Sequence, residues 1–341
     1  MNQERLAAVA QRMVARGKGL LAADESTGTI KRRFDNIGVE STPDSRRDYR
    51  ELMFGAEKAM QHHISGVILF DETIRQSARD GRPLVELIES AGAVPGIKVD
   101  LGTTPMPFHP GETITEGLDG LAERLAEYHR LGARFAKWRA VIDIGEGIPS
   151  AACIGTNMQA LARYAALCQA AEIVPIVEPE VLMDGAHSIE RCYEVTENVL
   201  HVLYRELYAA RIFLEGTILK PNMVIAGKKC AKQAEPDEVA EWTVKLFKRC
   251  VPVAVPGIAF LSGGQSDVEA TANLNAVNRL RPLPWAITFS YGRALQAAPQ
   301  KAWSGKSENV VDAQKAFEHR ARMNGLAAMG EWTRQFEAES Q

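Results

Sequence analysis

Eight short apolar segments, each running out into polar or charged residues and most followed by a longer helical pattern, predict an α/β chain. Several of the segments are apolar almost throughout, as strands buried on both faces must be, which calls for a parallel sheet with helices over its outer face. The length, 341 residues with no linker, low-complexity stretch or composition break, suits one large domain over 1–341. Eight such repeats close into a (β/α)8 TIM barrel, with an N-terminal helix before it and a helical extension after it. A doubly wound open sheet is the structural alternative.

The elements follow in order. Met1 to Gly17 spaces Leu6, Val9, Met13 and Val14 for one face of an amphipathic helix. Strands are expected at Gly19–Asp24, Ser65–Phe70, Gly96–Asp100, Phe135–Val141, Val174–Glu180, Thr217–Asn222, Ile258–Ser262 and Trp285–Ser290. Helical periodicity lies between them near Arg46–His62, Glu116–Leu131, Met158–Ala171, Ile189–Ala210, Asp237–Cys250 and Val268–Leu280. A terminal helical region, Val310–Trp332, follows the eighth strand.

Composition narrows the function. Lys+Arg 40 against Asp+Glu 43 gives a net charge of −3, so the chain as a whole is not built to hold nucleic acid. No apolar run approaches the ~20 residues of a membrane span, and no membrane partner is expected. The N-terminus has neither a signal-peptide core nor a small-residue cleavage site, and Glu4 argues against a transit peptide, so the expected location is cytoplasmic. Five scattered cysteines without a CxxC pair fit reduced thiols, and seven histidines form no HxxxH or HExxH pattern. No metal site is therefore expected.

In a barrel, chemistry gathers at the C-terminal ends of the strands. Asp24 ends the first, Lys98 and Asp100 the third; the fourth carries Lys137 and Arg139, the fifth Glu178 and Glu180. Residues two apart on a strand share a face, so each of these pairs can point one way, although spacing does not say which face is inward. The sixth strand offers Lys220. A lysine at the dry end of a strand loses its proton more readily, since burial and neighbouring cations disfavour the ammonium, and a neutral amine attacks ketones. The plain alternatives are a lysine snorkelling to solvent and a salt-bridge lattice plugging the barrel mouth. After the last two strands come Ser262-Gly263-Gly264 and Ser290-Tyr291-Gly292-Arg293, whose glycines let backbone N–H groups approach an anion while Arg293 adds a charged fork. Ser26, Thr29, Arg33 and Lys98 offer a second anion site, expected on the opposite rim. Two phosphate sites flanking one lysine imply a doubly phosphorylated substrate with a carbonyl between them. Gly305-Lys306-Ser307 is a false P-loop, because the required first glycine is Gln300.

Long stretches of the chain resemble class I fructose-bisphosphate aldolase. They are Gly17-Lys-Gly-Leu-Leu-Ala-Ala-Asp-Glu-Ser-Thr-Gly28, Gly96-Ile-Lys-Val-Asp100, Phe135-Ala-Lys-Trp-Arg139, Ile173-Val-Pro-Ile-Val-Glu-Pro-Glu180, Leu214-Glu-Gly-Thr-Ile-Leu-Lys-Pro-Asn-Met-Val224, Phe260-Leu-Ser-Gly-Gly-Gln-Ser266 and Thr288-Phe-Ser-Tyr-Gly-Arg-Ala-Leu-Gln296. The resemblance runs in order from about Gly17 to Gly325. It implies reversible aldol cleavage of fructose 1,6-bisphosphate to dihydroxyacetone phosphate and glyceraldehyde 3-phosphate, a lyase reaction of glycolysis and gluconeogenesis. Lys220 would be the Schiff-base lysine, Glu178 the proton shuttle with Glu180 beside it, and Asp24 the group that orients and helps deprotonate the substrate hydroxyl. Lys137 would be the second active-site lysine and Arg139 its charged neighbour. Ser262, Gly263, Gly292 and Arg293 would hold the phosphate on the ketone half, and Ser26, Thr29, Arg33 and Lys98 the other. The resemblance further implies no cofactor and a homotetramer.

Two departures stand out. Many relatives end in a tyrosine that assists proton exchange at C3, whereas no tyrosine follows Tyr291 here, so that role is not carried over. Leu101 stands where relatives commonly have lysine and Asp71 where some have histidine, and both adjoin strand ends, where they could shift substrate preference. The competing functions are a Schiff-base aldolase for another phosphorylated ketose, such as sedoheptulose 1,7-bisphosphate or fructose 1-phosphate, and a non-catalytic scaffold.

Overall fold

Backbone hydrogen bonds join the eight expected strands into one closed, all-parallel barrel: β1 Gly19–Ala23, β2 Ile64–Leu69, β3 Val94–Lys98, β4 Phe135–Ile142, β5 Val174–Val181, β6 Ile218–Leu219, β7 Gly257–Phe260 and β8 Ala286–Tyr291. This computed structural model describes residues 2–338. Neighbours in the chain are neighbours in the barrel, and closure comes from β1 against β8, with Leu20 opposite Ser290. The open-sheet alternative is thereby excluded.

Apolar side chains divide between the two faces of the strands. Leu20, Ala22, Ile68, Val94, Phe135, Val174, Ile176, Ile218 and Ala259 form the inner cluster, and Leu6, Ala10, Met13 and Val14 from the N-terminal segment join it. The helix Gln3–Met13 therefore closes the barrel at the N-terminal ends of the strands. Phe135 needs room in this layer, and Gly96 supplies it: a Cβ at Gly96 would lie 2.3 Å from the Phe135 ring. The larger cluster, including Trp138, Tyr164, Val177 and Leu219, packs the outer face of the strands against the surrounding helices. The barrel's lower half is thus a packed core, and its upper half is left to polar groups.

The structure adds elements the periodicity did not show. Ser26 caps a helix Thr27–Asp35 by accepting from the Thr29 amide, in a stretch whose charged run hid its pattern. The span expected as one helix, Arg46–His62, is two, Pro43–Phe54 and Glu57–His63, separated at Gly55 and Ala56. A short hairpin, Thr103–Pro105 with Thr113–Thr115, rises from the β3 end, and helices Leu84–Ser90 and Arg293–Trp303 are also new. The helix expected from Met158 starts seven residues earlier, at Ala151, where Ser150 caps it. The terminal helix Val310–Met329 stops at Gly330, whose φ of 74° terminates it ahead of Trp332. Among the described residues, no helix is long and apolar enough to cross a membrane. Met1, the start of the expected N-terminal helix, lies outside the described residues, as does the end of the chain beyond 338.

Candidate active site

The strand register settles the inward faces. The face of β4 that carries Phe135 into the barrel core carries Lys137 and Arg139 one and two steps further up. On β5 the same alternation takes Val174 and Ile176 to Glu178 and Glu180, and on β6 it takes Ile218 to Lys220. Above the apolar layer these side chains line a cavity of about 650 Å³. All fourteen residues singled out in the sequence line it: Asp24, Ser26, Thr29, Arg33, Lys98, Lys137, Arg139, Glu178, Glu180, Lys220, Ser262, Gly263, Gly292 and Arg293.

At its floor runs an alternating chain of charges. Lys220 Nζ lies 3.1 Å from Glu178 Oε1, and Glu178 Oε2 lies 3.4 Å from Lys137 Nζ. Lys137 in turn sits 2.8 Å from Asp24 Oδ2 and 3.9 Å from Asp100 Oδ2. Lys220, Lys137 and Glu178 are each no more than 4% exposed, so these ions interact with little solvent screening. Burial by itself would raise the Asp24 carboxyl, but the Lys137 ammonium, with Lys220 and Lys98 behind it, outweighs this and holds it well below the usual carboxylate range. Burial would likewise lower Lys137, and Asp24, Glu178 and Asp100 together drive it above the ordinary lysine range. Lys137 is a fixed cation among three carboxylates. Among the described residues, Lys220 pairs with one carboxylate, Glu178.

Lys220 is held although β6 is only two residues long. Its amide donates to Val177 O at 2.9 Å, and the buried Asn222 amide group accepts from Val181 N while donating to Thr196 Oγ1 and Met223 O. The end of β6 is thus tied to β5 by one backbone bond at Lys220 and, beyond it, by the Asn222 side chain. Across β4 and β5, Arg139 pairs with Glu180, and a Cβ at Gly263 would come within 2.9 Å of Glu180 Oε1, so a side chain there would have to displace that carboxylate.

The two anion sets are arranged differently from expectation. Gly264 adopts φ 80°, Gly292 precedes the helix Arg293–Trp303, and Arg293 donates to Gln265 O at 2.9 Å, so the two glycine turns and Arg293 line one part of the cavity together. Arg33 does not stand on the opposite rim. A Cβ at Gly292 would lie 3.9 Å from Arg33 Nη2, because barrel closure sets the β1 end beside the β8 turn. Arg33 is ion-paired to the buried Glu25, and Lys98 to Asp100 at 2.7 Å, while Ser26 and Thr29 hydrogen-bond to each other at 3.2 Å.

Three site residues escaped the sequence reading. Asp100, noted there only as a strand end, receives Lys98, Lys137 and the amides of Gly102 and Arg139. Glu25 is held by Arg33, Arg50 and Gln296, a cluster joined from three separate chain segments and invisible to local spacing. Ser290 Oγ lies buried on the cavity wall with no partner among the described residues; its place in the eighth strand-end motif was the available signal. Of the two departures, Leu101 is 71% exposed and lines the cavity, whereas Asp71 is turned to Arg75 and Tyr128 and does not.

A buried amine held by one carboxylate, a fixed second lysine and two anion-binding arcs match the arrangement of an imine-forming enzyme for phosphorylated ketones, and comparison with known proteins points the same way. Residues 5–341 match the family model described as fructose-bisphosphate aldolase class-I. The chain is 56% identical over 333 residues to a Xanthomonas campestris protein named "Probable fructose-bisphosphate aldolase class 1", covering 97% of this chain and 99% of that one. It is 52% identical over 332 residues to the non-muscle type fructose-bisphosphate aldolase of Lethenteron camtschaticum, covering 97% of this chain and 91% of that one. Among solved structures it resembles fructose-bisphosphate aldolase from Plasmodium falciparum, in complex with TRAP and a small-molecule inhibitor, with TM-score 0.94, 50% identity and coverage of 97% and 96%. Fold, site and kinship agree: the chain belongs to the class-I fructose-bisphosphate aldolase family.

Proposed function

We propose that the chain catalyses the reversible cleavage of fructose 1,6-bisphosphate to dihydroxyacetone phosphate and glyceraldehyde 3-phosphate through an imine on Lys220. The observation that carries this reading is the 3.1 Å contact between the buried Lys220 Nζ and Glu178 Oε1, beside the fixed cation Lys137.

A lysine must shed a proton before it can attack, and Glu178 is placed to take it. The amine adds to the C2 carbonyl, and Glu178 returns the proton to the C2 hydroxyl, which leaves as water. The resulting iminium draws electrons from the C3–C4 bond as it breaks, giving an enamine on Lys220 and an aldehyde on the C4 side. Asp24, held ionised by Lys137, accepts a hydrogen bond from the C4 hydroxyl and orients it. Its suppressed basicity leaves Glu178 as the carboxylate that removes the proton. Protonation of the enamine at C3 and addition of water then release dihydroxyacetone phosphate and free Lys220. The iminium is the electron sink, so the scheme calls for no cofactor. Glu180, paired with Arg139, keeps a second carboxylate beside Glu178 and fixes Arg139 at the substrate.

Ser262, Gly263, Gly292 and Arg293 bind the phosphate of the ketone half, with Ser290 completing that wall. Ser26, Thr29 and Lys98 serve the other phosphate, and Arg33, beside Gly292, serves the ketone-half phosphate with Arg293. We further propose a cytoplasmic homotetramer acting on phosphorylated sugars.

A coupled assay of purified protein comparing fructose 1,6-bisphosphate with fructose 1-phosphate tests the reading. Lys98→Ala should lower kcat/KM for the bisphosphate by roughly 10–100-fold, the scale of a lost charge-assisted contact of 1.5–3 kcal/mol. It should leave the monophosphate rate nearly unchanged. Equal losses on both substrates, or a wild-type preference for another ketose, would favour the related Schiff-base aldolase, with Leu101 at the cavity edge as its specificity residue.

A further inference from the structure

Helix Ile189–Ala209 carries Glu197 and His201 four residues apart, on one face, and helix Pro236–Cys250 ends with Cys250 against them. The Cys250 sulfur lies 3.6 Å from His201 Nε2, and one donor atom from each of the three residues falls within 4.8 Å of the other two. A tetrahedral zinc ion with Zn–S of ~2.3 Å and Zn–N of ~2.0–2.1 Å separates its sulfur and nitrogen ligands by roughly 3.5 Å. The thiol and imidazole thus already stand at ligand spacing.

The carboxylate is oriented as well. Tyr193 Oη donates to Glu197 Oε1 at 3.0 Å and Arg249 Nε lies 2.6 Å from the same oxygen, which fixes the carboxylate beside the thiol and imidazole. Hydrogen-bonded carboxylates of this kind are the usual outer support of a metal ligand. Cys250 is buried, Glu197 half-buried and His201 exposed, so the site opens to solvent through the imidazole. None of the three lines the active-site cavity. Their spacing in sequence gives no metal signature, because Cys250 follows His201 by 49 residues.

We infer that Glu197, His201 and Cys250 form a binding site for a thiophilic divalent cation of the zinc class, clamping two outer helices together, with water in the fourth position. Binding exchanges the Cys250 S–H bond for a metal–sulfur bond and releases the proton to solvent. Thiolate with imidazole selects zinc-like ions over calcium or magnesium. The site is separate from the aldol chemistry, which needs none of these residues.

The test uses the full-length protein, stripped with a chelator and kept reduced, then titrated with Co²⁺. The site predicts one equivalent bound, a near-ultraviolet thiolate-to-cobalt charge-transfer band, and its loss on adding Zn²⁺. Cys250→Ser should abolish the band. His201→Ala, which changes an exposed side chain and should fold normally, should weaken binding by 10–100-fold and remove the Zn²⁺-dependent rise in Tm. Aldol cleavage by the stripped and loaded protein should be equal. A featureless titration would overturn the site, as would a band that survives in both variants, which would place the metal on another thiol such as Cys230. A cleavage rate that falls on stripping would overturn its separation from the chemistry.

Discussion

At the residue scale the decisive group is Lys137. Its neighbours Asp24, Glu178 and Asp100 are all within 4 Å, and it neutralises carboxylates that are otherwise buried. Lys137→Met should therefore destabilise the fold by about 3–5 kcal/mol, the cost of stranding buried charge, measured by urea denaturation at pH 7. It should also abolish turnover. The pH dependence follows from Asp24. Because its folded pKa lies below the unfolded value of about 3.9, its contribution is complete above pH ~4 and is lost as the pH falls towards the depressed folded value. Wild-type protein should lose stability steeply below pH 4, whereas Lys137→Met, lacking the pair, should show a flatter acid limb. Equal acid limbs would contradict the pairing. Asp24, Lys137, Glu178 and Lys220 were legible from the sequence because each ends or extends an apolar strand. Glu25 was not, since its partners Arg50 and Gln296 come from distant segments, and Asp100, visible as a strand end beside Lys98, carried no sign that it also faces Lys137.

At the element scale, the strands were legible for the same physical reason that they form a barrel: both faces are buried, so each reads as a compact apolar run. The expected strands overrun at the ends of β3, β6 and β7, where Asp100 and Ser262 leave the ladder to line the cavity and Asn222 leaves it to bond Val181, Thr196 and Met223. Helix Thr27–Asp35 was read only as a source of anion ligands, because Lys31, Arg32 and Arg33 mask its buried positions Ile30 and Phe34. The packing beneath the site rests on Gly96. Gly96→Ala should cost roughly 1–3 kcal/mol by overpacking against Phe135, and Phe135→Leu in the same chain should recover part of it. A double-mutant cycle in denaturant measures this coupling; strictly additive effects would show that Gly96 does not serve Phe135.

At the scale of the whole molecule, a chain of net charge −3 gathers Arg33, Lys98, Lys137, Arg139, Lys220 and Arg293 at one cavity against Asp24, Glu25, Asp100, Glu178 and Glu180, so the lining carries a small positive excess. That excess favours a multiply charged phosphate ester against the overall charge. KM for fructose 1,6-bisphosphate should rise several-fold between low and ~0.15 M ionic strength, with kcat little changed, since salt screens encounter more than buried chemistry. Sedimentation equilibrium should return four times the 37.4 kDa chain mass, as proposed for the assembly; a single-chain mass would refute it. The central claim concerns one atom, Lys220 Nζ. Borohydride reduction in the presence of dihydroxyacetone phosphate, with a chelator throughout and peptide mass spectrometry afterwards, tests it most directly. The account predicts one stable adduct per chain, on Lys220, and none in Lys220→Met. A folded wild-type protein that forms no adduct, or forms it on Lys137 or another lysine, would contradict it.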